Sequence, residues 1–174
     1  MSGKGEKQKK ILWAPWRMAY IRQSGRQACV FCDALREGEE RESLVVWRSQ
    51  SIFAMMNRFP YAHGHLLISP CRHVQDLEGL TLAESQALMQ ATRDAIRVLT
   101  QCLVPEGFNV GINLGKVAGA GFADHLHLHV VPRWDGDHNF MPVLGETRII
   151  SEHLDNTYNK LREGFERLPT ELSE

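Results

Sequence analysis

Three short strands, one long helix and two further strands, in that order, predict an α+β fold for this chain. Apolar runs at residues 44–48, 52–57 and 63–70, punctuated by polar or glycine-bearing turns, read as the first three strands. Thr81-Leu82-Ala83-Glu84 is a capping box, and the apolar stripe behind it repeats at helical spacing. Residues 124–134 alternate histidine with an apolar residue at His125, His127 and His129, the period-2 pattern of a strand with one face in a core.

Taken in order, residues 1–10 are polar and lysine-rich and read as a disordered tail; no apolar core of a signal peptide follows them. Residues 11–20 carry Trp13, Trp16 and Tyr20, large rings that pack against something rather than stand in solvent. Cys29-Val30-Phe31-Cys32 has the two-residue spacing of a zinc half-site, and structural zinc sites add two more ligands. The βαβ pattern of a thioredoxin-type pair is missing around it. Cys71 and Cys102 stand alone and read as ordinary half-buried thiols. Residues 36–43 form a charged loop or short helix end.

Strands 44–48 and 52–57 join through a tight polar turn at Ser49–Ser51, and Asn57 closes the second before a Pro-containing loop. The strand at 63–70 starts from a glycine. The helix from Thr81 buries Leu88, Ala91, Ala95, Val98, Leu99 and Leu103, and Pro105 and Gly107 stop it. A strand at 108–114 leads into residues 115–121, which hold three glycines in seven positions; exposed backbone amides there suit an anion. On the strand that follows, the three imidazoles share one side about 6.5–7 Å apart, with Leu126, Leu128 and Val130 on the other. Pro132, which cannot donate, ends the pairing. Residues 149–168 form an amphipathic C-terminal helix with Ile150, Leu154, Tyr158 and Leu161 on one side.

With 174 residues, 43% hydrophobic and 24% charged at a net charge of −1, the chain has enough material for one domain with a real core. No basic excess points to a nucleic-acid polymer as partner. No apolar run is long enough to span a membrane, and the expected location is the cytoplasm.

His125-Leu126-His127-Leu128-His129-Val130-Val131 resembles the signature of the histidine triad (HIT) superfamily of nucleotidyl hydrolases and transferases. The Trp-Ala-Pro-Trp-Arg arm at 13–17, Gly107-Phe108-Asn109-Val110-Gly111 and Val131-Pro132-Arg133-Trp134 are most similar to its diadenosine tetraphosphate phosphorylase branch; the arm is also similar to that of galactose-1-phosphate uridylyltransferases. The resemblance implies a HIT-like fold, a mainly antiparallel sheet of about five strands with a long helix packed on it. It divides the chain into a tail (1–10), a HIT domain with its arm (11–145) and a helical extension (146–174), commonly as a homodimer.

The same resemblance implies the site. His127 is the nucleophile toward the α-phosphate of a small-molecule nucleotide, and His129 binds phosphate and assists the leaving group. Asn57 contacts the ribose and His65 lines the base and ribose side. Asn113, Lys116, Gly119 and Gly121 serve the phosphates. Zinc is held by Cys29 and Cys32 together with His73 and His125. Gly119-Ala120-Gly121-Phe122-Ala123-Asp124 departs from the family's common Gly-Gln-Ser or Gly-Gln-Thr, being one residue longer and without a hydroxyl. The implied activity is cleavage of dinucleoside polyphosphates through a nucleotidyl-histidine, by phosphorolysis. Hydrolysis, a Hint-like nucleoside phosphoramidase, and a nucleotide-binding sensor with incidental turnover are the alternatives.

Overall fold

The computed structural model describes residues 29–36, 40–137 and 152–169. The tail at 1–10, the aromatic arm at 11–20 and Ile150, read as part of a helix at 149–168, lie outside the described residues; the helix begins at Leu154. Two short helices, α1 (Val30–Ala34) and α2 (Glu40–Ser43), precede strands β1 (Val45–Arg48), β2 (Ile52–Met56) and β3 (Leu66–Pro70). Helix α3 (Leu82–Leu103), strand β4 (Gly107–Ile112), a 3-10 turn (Lys116–Ala118), strand β5 (Leu128–Arg133) and helix α4 (Leu154–Glu166) follow. Among the described residues the strands make one five-stranded sheet in the order β1-β2-β3-β5-β4, antiparallel at every neighbour. This is the expected α+β architecture.

Alternation along the strands sends side chains to two different interiors. Ile52, Ala54, Met56, Leu66, Ile68, Leu128 and Val130 pack against the α3 stripe of Leu88, Ala91, Ala95, Val98 and Leu99, and against Tyr158, Leu161 and Phe165 of α4. Phe53, Leu67 and Val45 face the opposite way, onto Phe31 and Ala34 of α1. The first interior is the larger; the second, under the Cys-x-x-Cys turn, supports the histidines.

The capping box forms as read. Thr81 Oγ1 accepts the Glu84 amide at 3.2 Å, and Glu84 Oε2 accepts the Thr81 amide at 2.8 Å. The same carboxylate takes two bonds from the Arg72 guanidinium, at 3.0 and 2.7 Å, and that pairing holds the Glu84 pKa down to about 2. Helix α3 ends at Val104, whose φ of 50° is left-handed.

Three expectations are corrected. The strand read at 63–70 begins at Leu66, because Gly64 takes a φ of 73° and turns the chain just ahead of it. The triad is not one regular strand: β5 starts at Leu128, so only His129 lies in the ladder. Its approach is bonded elsewhere, the Leu126 amide donating to Val74 O at 2.6 Å and Ser69 Oγ to Leu126 O at 2.8 Å. Nor does Pro132 end the pairing, since it sits opposite Phe108 and Arg133 continues opposite Gly107. Strand β3 pairs with β5 only as far as Val130, so residue 132 has no donation to make on that side.

Helices α3 and α4 cross closely at Gly164, where a Cβ would stand 2.6 Å from Val98 Cγ1 and 2.9 Å from Cys102 Sγ. Val98 is fully buried and cannot yield. Gly164→Val should therefore lower unfolding stability by about 1–3 kcal/mol, measured by urea denaturation, despite a small gain in helix propensity. An unchanged midpoint would mean that the two helices are not in close contact at Gly164.

Candidate active site

The turn after β3, the Cys-x-x-Cys turn and the approach to β5 meet at one point. Cys29 Sγ lies 3.2 Å from His125 Nδ1, and Cys32 Sγ lies 3.4 Å from His73 Nδ1 and 3.6 Å from His125 Nδ1. All four donor atoms fall within 4.8 Å of one another. In a tetrahedron with ordinary zinc–sulfur and zinc–nitrogen bonds, sulfur and nitrogen stand about 3.5 Å apart. The donor set thus fits a Cys2His2 metal site, and the proton of His125 agrees. Its Nε2–H donates to Pro70 O at 2.9 Å, so Nδ1 carries the lone pair and faces the thiols. Burial pushes the Cys29 thiol up to about 11; a bound cation is what would make it a thiolate at neutral pH. Arg72, clamped to Glu84 and donating to Gly79 O at 2.7 Å, holds the turn that carries His73.

Two residues on, the His127 imidazole is turned the other way round. Its Nδ1–H donates to His125 O at 2.9 Å, which leaves the lone pair on Nε2. His127 is buried, and burial lowers its pKa, so the ring is neutral and Nε2 is nucleophilic near pH 7.

His65 and His129 are set by a backbone amide. The Tyr61 N–H can only donate, and it donates to His65 Nδ1 at 3.1 Å. Asn57 Nδ2 also donates there, at 3.3 Å. The His65 proton must then sit on Nε2, which donates to His129 Nδ1 at 2.9 Å. His129 in turn carries its proton on Nε2, a buried atom with no hydrogen-bond partner among the described residues. Its ring lies edge-on to His127 with centroids 5.0 Å apart. A bare nitrogen on His127 therefore stands beside an unspent N–H on His129, a pair suited to attack on phosphorus and to holding a phosphoryl oxygen.

The HIT domain model matches residues 38–136. The chain belongs to the HIT family. It is 42% identical over 167 residues to the AP-4-A phosphorylase of Mycobacterium tuberculosis, covering 91% of this chain and 85% of that protein. It is 30% identical over 136 residues to a bis(5'-nucleosyl)-tetraphosphatase (asymmetrical) of Schizosaccharomyces pombe, covering 75% and 73%. Its fold is shared with a Zn-bound histidine triad family protein of Mycobacterium smegmatis, at a TM-score of 0.64 and 23% identity over 81% of this chain and 95% of that one.

The structure brings His65, His127, His129 and Asn57 of the HIT domain together, with His73 and His125 of that domain and Cys29 and Cys32 ahead of it beside them. Asn57 also closes its turn, with Oδ1 accepting the Phe59 amide at 2.9 Å. Asn113, Lys116, Gly119 and Gly121 lie on the connection into β5. There Gly115 and Gly119 take positive φ values of 81° and 93°, and Lys116 is exposed at the start of the 3-10 turn. The even spacing read for the triad fails: His127 and His129 meet each other, while His125 lies edge-on to His73 with centroids 4.9 Å apart.

Two aromatics escaped the sequence reading. Tyr61 lies 4.6 Å from the His65 ring and stacks at 5.6 Å on His129; its position before Gly64-His65 was the available signal. Phe31 lies inside the Cys-x-x-Cys itself.

Burial, aided by nearby His127, lowers the His129 pKa from 6.5 to about 4. A depressed histidine contributes stability that is fully present above the unfolded value and lost as pH falls toward the folded one. The thermal midpoint of the protein should therefore drop between pH 6.5 and pH 4, and less steeply in His129→Asn. Parallel curves for the two proteins would show that His129 does not carry the effect.

Proposed function

We propose that this protein cleaves dinucleoside polyphosphates such as diadenosine tetraphosphate by nucleotidyl transfer through His127, with orthophosphate as acceptor. The observation that carries the proposal is the paired tautomers, with Nε2 of His127 bare and Nε2 of His129 protonated. His127 Nε2 attacks the α-phosphorus, forming a P–N bond as the bond to the leaving ATP oxygen breaks. The His129 N–H holds the phosphoryl or leaving oxygen, and backbone amides of the 115–121 loop, with Asn113, Gly119, Gly121 and Lys116, receive the phosphate charge. Asn57 and His65 border the ribose side. An oxygen of orthophosphate then displaces the imidazole, giving ADP. The 42% identity to an AP-4-A phosphorylase over most of both chains supports this choice of substrate and acceptor.

The residues proposed to hold zinc are Cys29, Cys32, His73 and His125. Bound there, zinc would cross-link the α1 turn to the approach of β5 and orient His127 by holding its neighbour His125. A homodimer is proposed through the outer edge of β4, where Asn109, Val110 and Gly111 are exposed and the ladder is unpaired among the described residues. The domain division at 11–145 and 146–174 is retained, with the qualification that α4 of the extension adds Tyr158, Leu161 and Phe165 to the main core. A reducing, cytoplasmic location suits the four free cysteines. Among the described residues no helix is long and apolar enough to cross a membrane.

Diadenosine tetraphosphate with excess phosphate should yield ATP and ADP, and brief reaction should leave an acid-labile nucleotidyl adduct on His127. His127→Ala should lower turnover at least about 1,000-fold. AMP as the main product in excess phosphate would make the enzyme a hydrolase, and an adduct on another histidine would refute the nucleophile. Elemental analysis of protein purified without chelator should find about one zinc per chain; a content well below that would refute the metal site.

A further inference from the structure

The two residues between the cysteines have opposite fates. Val30 is 44% exposed, whereas Phe31 is 2% exposed. The Phe31 ring stacks on the His127 imidazole, with centroids 4.8 Å apart and planes inclined by 28°. It also meets His125 at 5.1 Å, and Phe53 and Phe122 hold it edge-on at 6.4 and 6.0 Å. The ring is therefore clamped on several sides and has little freedom of its own.

A hydrogen bond from Nδ1 to His125 O pins one corner of the His127 ring. That bond is soft, and coupled rotation about the two side-chain torsions can still tilt the ring while the bond is kept. The Nε2 lone pair lies in the ring plane, so the plane sets the line along which Nε2 reaches phosphorus. An in-line displacement depends on that line. A flat apolar partner stacked on one face fixes what the hydrogen bond leaves open. It also covers that face against water, while an isosteric aliphatic group would cover it without defining a plane.

We propose that Phe31 is a positioning residue for the nucleophile: presented by the Cys-x-x-Cys turn, it holds the plane of His127 for attack. This rests on the assignment of His127 as nucleophile. The structural alternative is that Phe31 only fills the small interior shared with Phe53 and Leu67.

Four zinc-loaded proteins separate these: wild type, Phe31→Leu, Phe31→Tyr and, as a control in the same turn, Val30→Ala. For each, zinc content, nucleotide affinity and the single-turnover rate of adduct formation are measured, with the His127 ring protons followed by NMR. Phe31→Leu should keep its zinc and bind nucleotide within about twofold of wild type. Its adduct formation should slow by about 10- to 100-fold, and the His127 ring resonances should move downfield as the ring current is lost. Phe31→Tyr should recover most of the rate, and Val30→Ala should match wild type. A wild-type rate in Phe31→Leu would overturn the proposal. Should that variant misfold or lose zinc, wild-type His127 resonances without an upfield ring-current shift would overturn it instead. An adduct mapped to another histidine in wild type would mark failure of the nucleophile assignment, whereas the ring-current result reports on the stack alone.

Discussion

A neutral imidazole has two nitrogens and one proton, and a buried imidazole stays neutral because charging it would cost desolvation energy. His65, His125, His127 and His129 must therefore each have a proton assigned to one nitrogen. Main-chain groups do the assigning. Pro70 O takes the proton of His125 on Nε2 and leaves Nδ1 for the thiols. His125 O takes that of His127 on Nδ1 and leaves Nε2 for phosphorus. The Tyr61 amide denies His65 a proton on Nδ1, and through His65 it sets His129. Carbonyls and amides cannot exchange donor and acceptor roles, so the assignment is as rigid as the backbone.

That rigidity requires the backbone around residues 125–127 to be held without a ladder. Ser69, on β3, and Val74, beyond it, supply the missing bonds from outside the sheet pairing. Arg72 and Glu84 tie the intervening turn to the start of α3. The long helix thus does more than cover the sheet. Its capping box shares one carboxylate with the guanidinium that steadies the His73 turn, so helix initiation and the candidate metal site draw on the same side chain.

The two faces of the sheet divide the work. The α3–α4 face is a core of aliphatic and aromatic side chains, which supplies most of the apolar burial and so most of the stability. The α1 face is small, and its central ring, Phe31, touches both His125 and His127. A small interior of this kind adds less to stability and more to placement, because stacked planes restrict rotation where aliphatic contacts do not.

Hydrophobic period and turn chemistry were enough to read the order of strands and helix, the capping box at Thr81 and the alternation that buries Leu126, Leu128 and Val130. These are local features, fixed by residues within a few positions of one another. The triad motif likewise named His127 and His129 and, by resemblance, Asn57 and His65, which the fold brings together. Sequence did not show that β5 begins only at Leu128, that Pro132 stays within the ladder, or that Phe31 stacks on His127. Each depends on groups distant along the chain: Ser69 and Val74 bonding the segment before β5, β3 ceasing to pair after Val130, and α1 folding across the sheet. The proton positions belong to the same class. A histidine's sequence neighbours say which face it occupies, but only the tertiary structure decides which carbonyl or amide meets which nitrogen, and that decides whether the ring binds a metal, attacks, or donates.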